Sequence, residues 1–497
     1  MGLRQTIGNV INWFLSSAPD TTTSERDRGY TVLRDYVRGD QRRPLKVRTG
    51  QADDNIILNF ISLVVDRSVS MLFGGGIEFE FQFQKQTTIV GGEQVEPPSA
   101  QEALLDETWD ANKQQILLHN LAWLGSVYGT CYVKLMPEGI ESRANPGKKL
   151  TRLVRQNPRQ MTIETDPEDI ERINCYRSNF KYTTTDSMGR DIEVARMEVI
   201  ARETSMQKFE EQDENGEAKI VEREAETGNW VIREYVSSAL TQGKWQQMGD
   251  DVQWPYLFPP ILHWQNLPDP ENAYGISDIA SVVEPQDRYN FVQSNISKII
   301  RFFAHPMRWA KNIIGAIETV DAGPDKMVKF SGTDAALGAL EMSSDLSGSR
   351  AFALDLRQAI FDLTRTVDLS SITDKIGALT NFGLRVLYKD ALDKLGTKQE
   401  LYGDALVELN HRLLVLADYD GANADGGSVV WPDPLPTDTE AKAVAHVQLV
   451  GAGIESKESA QIDLDLDPDT ESKRMETAAA GQTNIGAEIL KSFSQGR

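Results

Sequence analysis

The side chains able to do chemistry are few and poorly spaced for it. His119, His263, His305, His411 and His446 never fall in H-E-x-x-H or any other ligand spacing, so a zinc centre is not expected. Gly147-Lys148 and Gly243-Lys244 lack both the upstream glycine and the following hydroxyl of a phosphate loop, which excludes a P-loop motor. No G-x-S-x-G nucleophile elbow is present. Asp463, Asp465, Asp467, Asp469 and Glu471 alternate as calcium ligands can, but Pro468 stands where such a loop needs its turn glycine and Arg474 where it needs the bidentate glutamate. A solvated acidic loop is the expectation, with no metal and no cofactor. Gly74-Gly75-Gly76 precede a strand, whereas a phosphate cradle precedes a helix, so they read as a turn. Cys131 and Cys175 cannot build a disulfide framework and read as two reduced thiols of an intracellular protein. With no catalytic constellation the chain is not expected to be an enzyme.

One basic run stands apart. Arg143, Lys148, Lys149, Arg152, Arg155 and Arg159 occur with no acid between the first and the last. They read either as a local patch for nucleic acid or a partner, or as a solvated surface loop. The whole chain is acidic: 497 residues carry 52 Lys+Arg against 74 Asp+Glu, a formal net charge of −22. That excludes a protein whose whole surface grips nucleic acid, because such binding needs cations to displace counterions. It also argues against a binder of anionic membranes. No apolar run reaches the roughly 20 residues of a bilayer span. Ile7, Val10, Ile11, Phe14 and Leu15 mark one face of a short docking helix rather than a signal peptide.

The length suggests about three domains. Tyr30, Leu33, Tyr36 and Val37 have helical spacing within a polar, basic stretch. Asn55 to Leu72 reads as a helix with the stripe Ile57, Phe60, Ile61, Val64, Val65 and Val69, stopped by the glycine run. Ile77, Phe79, Phe81 and Phe83 alternate with polar residues, the period of a half-buried strand. Residues 99 to about 124 read as a helix, Tyr128 to Leu135 as a strand, and 160 to 265 as short strands with turns at Asp186 to Gly189, Asn215-Gly216 and Gln242-Gly243. This is an α+β body rather than a regular α/β winding.

The character changes at Gly275. Residues 277 to 304 read as one long helix with a kink or restart at Pro285, and Val292, Ile296, Ile299, Ile300 and Phe303 as its packing surface. Residues 306 to 347 form a small β-containing module punctuated by glycines. A helix from Ser349 to about Leu369 carries the stripe Phe352, Leu356, Ile360, Leu363 and Val367. A polar loop from Ser370 to Gly383 leads into a helix from about Leu384 to Leu416, with bends expected at Gly396 and Gly403. Residues 418 to 471 hold 13 acidic and 2 basic residues, with Pro432, Pro434 and Pro436 before a helix from Thr439 to Val450. The last fifteen or so residues are small and polar, and are expected to be mobile.

Four stretches in this order carry a resemblance. They are Asp54 to Asp66 through Gly74; Gly275-Ile-Ser-Asp-Ile with Glu284-Pro-Gln-Asp-Arg-Tyr-Asn290 and Phe303-Ala-His-Pro-Met-Arg-Trp-Ala310; Gly377 to Lys398; and Trp431-Pro-Asp-Pro-Leu-Pro-Thr-Asp with Gly451 to Ser456. Together they resemble the portal proteins of tailed bacteriophages, closest to those of long-tailed, siphovirus-type phages of actinobacteria. The resemblance implies a head-to-tail connector: a ring, usually of twelve subunits, at one capsid vertex, through which the terminase motor packages double-stranded DNA and through which the genome later leaves.

It also implies the portal arrangement of parts. Residues 1–270 would be an N-terminal region and wing, and 277–304 and 349–369 two stem helices. Between them 306–347 would be the clip that meets motor and adaptor, with Arg308, Trp309, Lys311, Lys326 and Lys329 as contact candidates. Residues 370–383 would be a tunnel loop, 384–430 a long wing helix and its connection, 431–480 a crown and 481–497 a mobile tail. Tunnel candidates are Lys298, Arg301, Asp374, Lys375 and Asn381, and the basic run would lie on the wing. Implied partners are other copies of the chain, genomic DNA, the terminase large subunit, a head–tail adaptor, and major capsid and scaffolding proteins, with no membrane. The implied location is the virion, after assembly in the host cytoplasm.

The charge suits a conduit. A helix over 277–304 is about 42 Å long and runs beside roughly 25 phosphates of a duplex. A basic wall would hold that duplex tightly, whereas an acidic or neutral wall lets it slide. A packaging ATPase or nuclease is the first rival reading and would need a phosphate loop or clustered carboxylates. A capsid or scaffold-like protein is the second, and would not need the helix–module–helix insertion.

Overall fold

The structure is a computed structural model. It describes residues 21–475 apart from 48, 50–52, 82–87, 91–92, 96–98, 144, 186–187, 213–217, 239–243, 305–306, 313–333, 335, 341–345, 369–380, 422–423, 436–438, 465, 467 and 469. The N-terminal helix expected over residues 7–15, the tail, and the turns at Asn215-Gly216 and Gln242-Gly243 lie outside them. Two compact units appear: residues 1–373 with 388–432, and residues 374–387 with 433–497.

In the first unit α1 (Thr21–Arg38) buries Tyr30, Leu33, Tyr36 and Val37, the face its spacing predicts. Helix α2 (Phe60–Phe73) starts five residues later than expected, because the Asn59 side chain accepts from Ser62 N and caps it. Residues 54–58 form neither helix nor strand. Strand β1 (Glu78–Glu80) is followed by a small hairpin, β2 (Thr88–Val90) and β3 (Glu93–Val95). The helix expected over 99–124 is two, α3 (Ala100–Ala111) and α4 (Gln114–Tyr128). Ser99 and Glu102 form a capping box on α3, and Lys113 breaks the pair with a left-handed backbone, φ 54°.

Strands β4 (Thr130–Glu141) and β5 (Lys149–Arg155) form a three-stranded sheet with β12 (Ile261–Gln265), in the order β12-β4-β5. Between them lies a second sheet: β6 (Met161–Thr165), β7 (Ile173–Thr185), β8 (Asp191–Gln212), β9 (Ala218–Ser238), β10 (Gln246–Gln247) and β11 (Val252–Trp254). The short strands expected over 160–265 are therefore partly wrong, since β8 and β9 run for 22 and 21 residues as one antiparallel pair.

Helix α5 (Val283–Ala304) follows a 3-10 turn at Ala280–Val282, so residues 277–279 are not helical. Pro285 sits in its first turn, where no N–H is needed, and starts the helix rather than kinking it. Strands β13 (Met307–Lys311) and β14 (Ala336–Leu340) pair antiparallel between α5 and α6 (Ser347–Leu363). Helix α6 ends six residues earlier than expected. Arg365 turns left-handed (φ 53°), while Thr366 N donates to Phe361 O and Arg365 N to Asp362 O, closing a Schellman-type end.

The helix expected over 384–416 is α7 (Asn381–Leu387) and α8 (Lys389–Leu416), the latter unbroken through Gly396 and Gly403. Strand β15 (Ser428–Val430) pairs with β1. The second unit holds α7, α9 (Thr439–Gly451) and α10 (Lys457–Asp463). The main core gathers α1, α2, α4 and α8 on one face of the three-stranded sheet. The architecture is mixed helix and strand, α+β as expected.

Candidate functional site

The quoted motif Gly275-Ile-Ser-Asp-Ile builds the root of the α5–α6 pair. Gly275 and Gly129 meet back to back, both with positive φ (72° and 86°). A Cβ on Gly129 would lie 2.7 Å from Gly275 O, so neither position admits a side chain. Ser277 Oγ then donates to Ser126 O and Val127 O at the end of α4. Asp278 N donates to Ser126 O, which turns its carboxylate into the core.

There Asp278 meets two cations of α8, Lys394 Nζ at 2.9 Å and Lys398 Nζ at 2.5 Å. Ser68 Oγ and Asn266 Nδ2 also donate to it, at 2.9 and 3.2 Å. Burial would raise the Asp278 pKa, but Lys398 and Lys394 overcome that and hold it well below the usual carboxylate range. Burial pushes Lys398 down from the ordinary lysine value, opposed by the attraction of Asp278. Lys394 donates onward to Thr364 O, the end of α6, at 3.1 Å. One carboxylate thus fixes α8, α2, α4 and the foot of α6 together. Gly125 leaves room for the neighbouring Tyr402 hydroxyl, which donates to Asn266 Oδ1 and lies 3.4 Å from Cys131 Sγ. Burial pushes the Cys131 thiol up to about 12.

The second quoted motif, Glu284 to Asn290, also has a physical role. Gln286, Asn290 and Ser294 recur at helical spacing on α5 and are fully buried. They hold the non-helical segment 54–58 by its backbone groups. Gln286 Nε2 donates to Leu58 O, Leu58 N to Asn290 Oδ1 at 3.1 Å, and Ile56 N to Ser294 Oγ at 2.9 Å. Asn290 Nδ2 reaches Gln41 at 2.7 Å, and Arg301 pairs with Asp54 at 2.6 Å. Asp287 accepts from the Tyr36 hydroxyl at 2.7 Å, and burial with that bond moves Tyr36 up to about 12. Phe60 of α2 sits between α5 and α6, 5.1 Å from the Tyr289 ring and 5.8 Å from that of Phe361. Helices α5 and α6 also pack on each other.

The stripes differ from expectation in detail. On α5, Ile296 is buried, Val292 and Ile299 are half-buried and Ile300 is exposed; Phe303 lies outside the described side chains. On α6 the inward face is Ala353, Leu356, Ile360 and Phe361, while Phe352 and Leu363 are 44% and 55% exposed.

Among the tunnel candidates, Lys298 is exposed on α5 and Arg301 is engaged by Asp54. Asp374 and Lys375 lie outside the described residues, and Asn381 opens α7 rather than belonging to a loop. Of the clip candidates Arg308, Trp309 and Lys311 fall on β13, with Lys311 exposed; Lys326 and Lys329 lie outside.

The basic run does not form one loop. Lys149, Arg152 and Arg155 are exposed on β5, the edge of its sheet. Lys148 lies 4.5 Å from the Tyr419 ring centroid, and Arg159 reaches Asp27 at 3.3 Å. Arg143 is exposed at the turn before them. Among the described residues no His/Cys/Asp/Glu group could hold a metal, and no helix is long and apolar enough to cross a membrane.

The family described as phage portal protein, SPP1 Gp6-like, matches residues 22–484. The chain belongs to the phage portal protein family. It is thereby a structural component of a tailed-phage capsid. A comparison with curated proteins finds no match.

The Asp278 triad and the Gln286–Asn290–Ser294 ladder escaped sequence reading, because Lys394 and Lys398 look like ordinary solvated cations four residues apart. The available signal is their place on the apolar stripe of Ala391, Leu395 and Tyr402, all buried.

Proposed function

We propose that copies of this chain close into a ring, twelve in the family's usual number, around a channel for double-stranded DNA at one capsid vertex. The α5–strand pair–α6 insertion carries this reading. Two long helices rooted side by side in the body project a small strand pair, and they leave apolar side chains uncovered on one chain. In the portal arrangement α5 and α6 are the stem, β13 and β14 part of the clip, residues 370–383 the tunnel loop and residues 431–480 the crown.

The terminase large subunit and later a head–tail adaptor meet the clip, where Arg308, Trp309, Lys311, Lys326 and Lys329 are the contact candidates. Asp374, Lys375 and Asn381 are candidates for the bore. Major capsid and scaffolding proteins surround the wing, and assembly takes place in the host cytoplasm. The motif resemblance favours a long-tailed phage of actinobacteria. The ring does no chemistry of its own; with net −22 per chain its wall repels phosphate and lets a duplex slide. Negative-stain electron microscopy of the purified protein tests this: rings with a central hole support it, and monomers or closed shells overturn it.

A further inference from the structure

We infer that a three-point charge code on α5 and α6 joins one copy of the chain to the next, an inference that rests on the proposed ring. The two helices pack through their inner faces, so their outer faces point away from each other. On α5 the outer face is Glu284, Arg288, Phe291 and Lys298, all exposed, with Asn295 half-buried among them. They recur every three or four residues, so they form one stripe. On α6 the outer stripe is Ala351, Asp355, Gln358 and Asp362, all exposed, flanked by Phe352, Leu363 and Leu354, and followed by exposed Arg365. Arg350 stands about 110° round the helix from the middle of this stripe.

The order of charge matches. The helices share a base, because Met307 pairs with Leu340 just beyond Ala304 and before Ser347. At 1.5 Å per residue from that base, Tyr289 and Phe361 stand at about 22 and 21 Å, in keeping with their shared contact to Phe60. On the same scale Lys298 lies at about 9 Å and Asp355 at about 12 Å. Arg288 and Asp362 fall at about 24 and 22 Å; beyond them stand Glu284, at about 30 Å on α5, and Arg365, just past the end of α6.

Plus, plus, minus on one face therefore meets minus, minus, plus on the other. Since both faces lie on the outside of the same pair, the match is made with a second copy. Faces that complement each other but not themselves make a heterologous contact, the kind that closes rings. Lys298 then serves the subunit contact rather than the bore.

The test uses the full chain and mass by light scattering. Wild type is expected as rings; if it is not, the proposed ring fails rather than this code. Arg288→Glu with Lys298→Glu, and separately Asp355→Lys with Asp362→Lys, should each give single chains with the wild-type far-ultraviolet circular dichroism spectrum. Mixing the two variants should restore rings, because alternating copies again oppose unlike charges, and so should all four changes in one chain. Rings from either double variant, or failure of both the mixture and the fourfold variant to restore them, would overturn the code.

Discussion

Asp278 holds two ammonium groups in a place closed to water, and that sets what its loss must do. Asp278→Asn leaves Lys394 and Lys398 buried without a counter-charge, a situation costing roughly 3–5 kcal/mol. Chemical denaturation should show a loss of that size, and a loss below about 1 kcal/mol would contradict the role given to this carboxylate. Because its folded pKa is depressed, its contribution is complete above the unfolded value near 4 and disappears only as pH falls through the folded one. His446 behaves in the opposite sense. Its ring bonds Glu455 at 2.8 Å and Asp463 at 2.9 Å, linking α9 to α10, with Lys442 3.9 Å from Asp463. The bond to Glu455, followed by that to Asp463, raises its pKa. Its stabilisation is full below about 6.5 and fades as pH rises through the raised value. Hydrogen exchange, corrected for intrinsic rate, should show α9 and α10 losing protection from pH 6 to 9 in the wild type but not in His446→Gln. Identical profiles for both proteins would remove the clamp.

At the level of elements, the crossing of Gly129 and Gly275 fixes where β4, β12 and the approach to α5 meet. Gly129→Ala places a methyl against Gly275 O, whereas Gly147 has an equally left-handed backbone (φ 89°) with nothing within 4 Å. Gly147→Ala should cost about 1 kcal/mol of backbone strain, and Gly129→Ala several times more, read from denaturation midpoints. Equal costs would mean that the close approach does not matter.

Which elements were legible follows from where their information lies. Helix α1 and strand β1 could be read because burial of Tyr30, Leu33, Tyr36 and Phe79 imposes a simple period. The break between α3 and α4 has no glycine or proline. It is held from outside, by Asn112 donating to Thr151 O and accepting from Leu153 N on β5. Segment 54–58 mimics a helix start in its apolar pattern, yet its backbone is bound by polar groups of α5 more than 200 residues away. Long-range hydrogen bonds of that kind leave no local period. Motif order nonetheless pointed to the family, because Gly275, Asp278, Gln286 and Asn290 are constrained by the same contacts that fix the pair's root.

For the whole molecule, the proposed function requires that an acidic chain with a rooted helix pair and uncovered side chains on its outer faces close into a ring through which DNA passes without being held. The bore of the assembled particle tests that most directly. A three-dimensional electron-microscopy reconstruction of the purified protein should show rotational symmetry and an axial opening of at least about 20 Å, the width of a B-form duplex. A symmetric particle with a narrower or closed axis would contradict it.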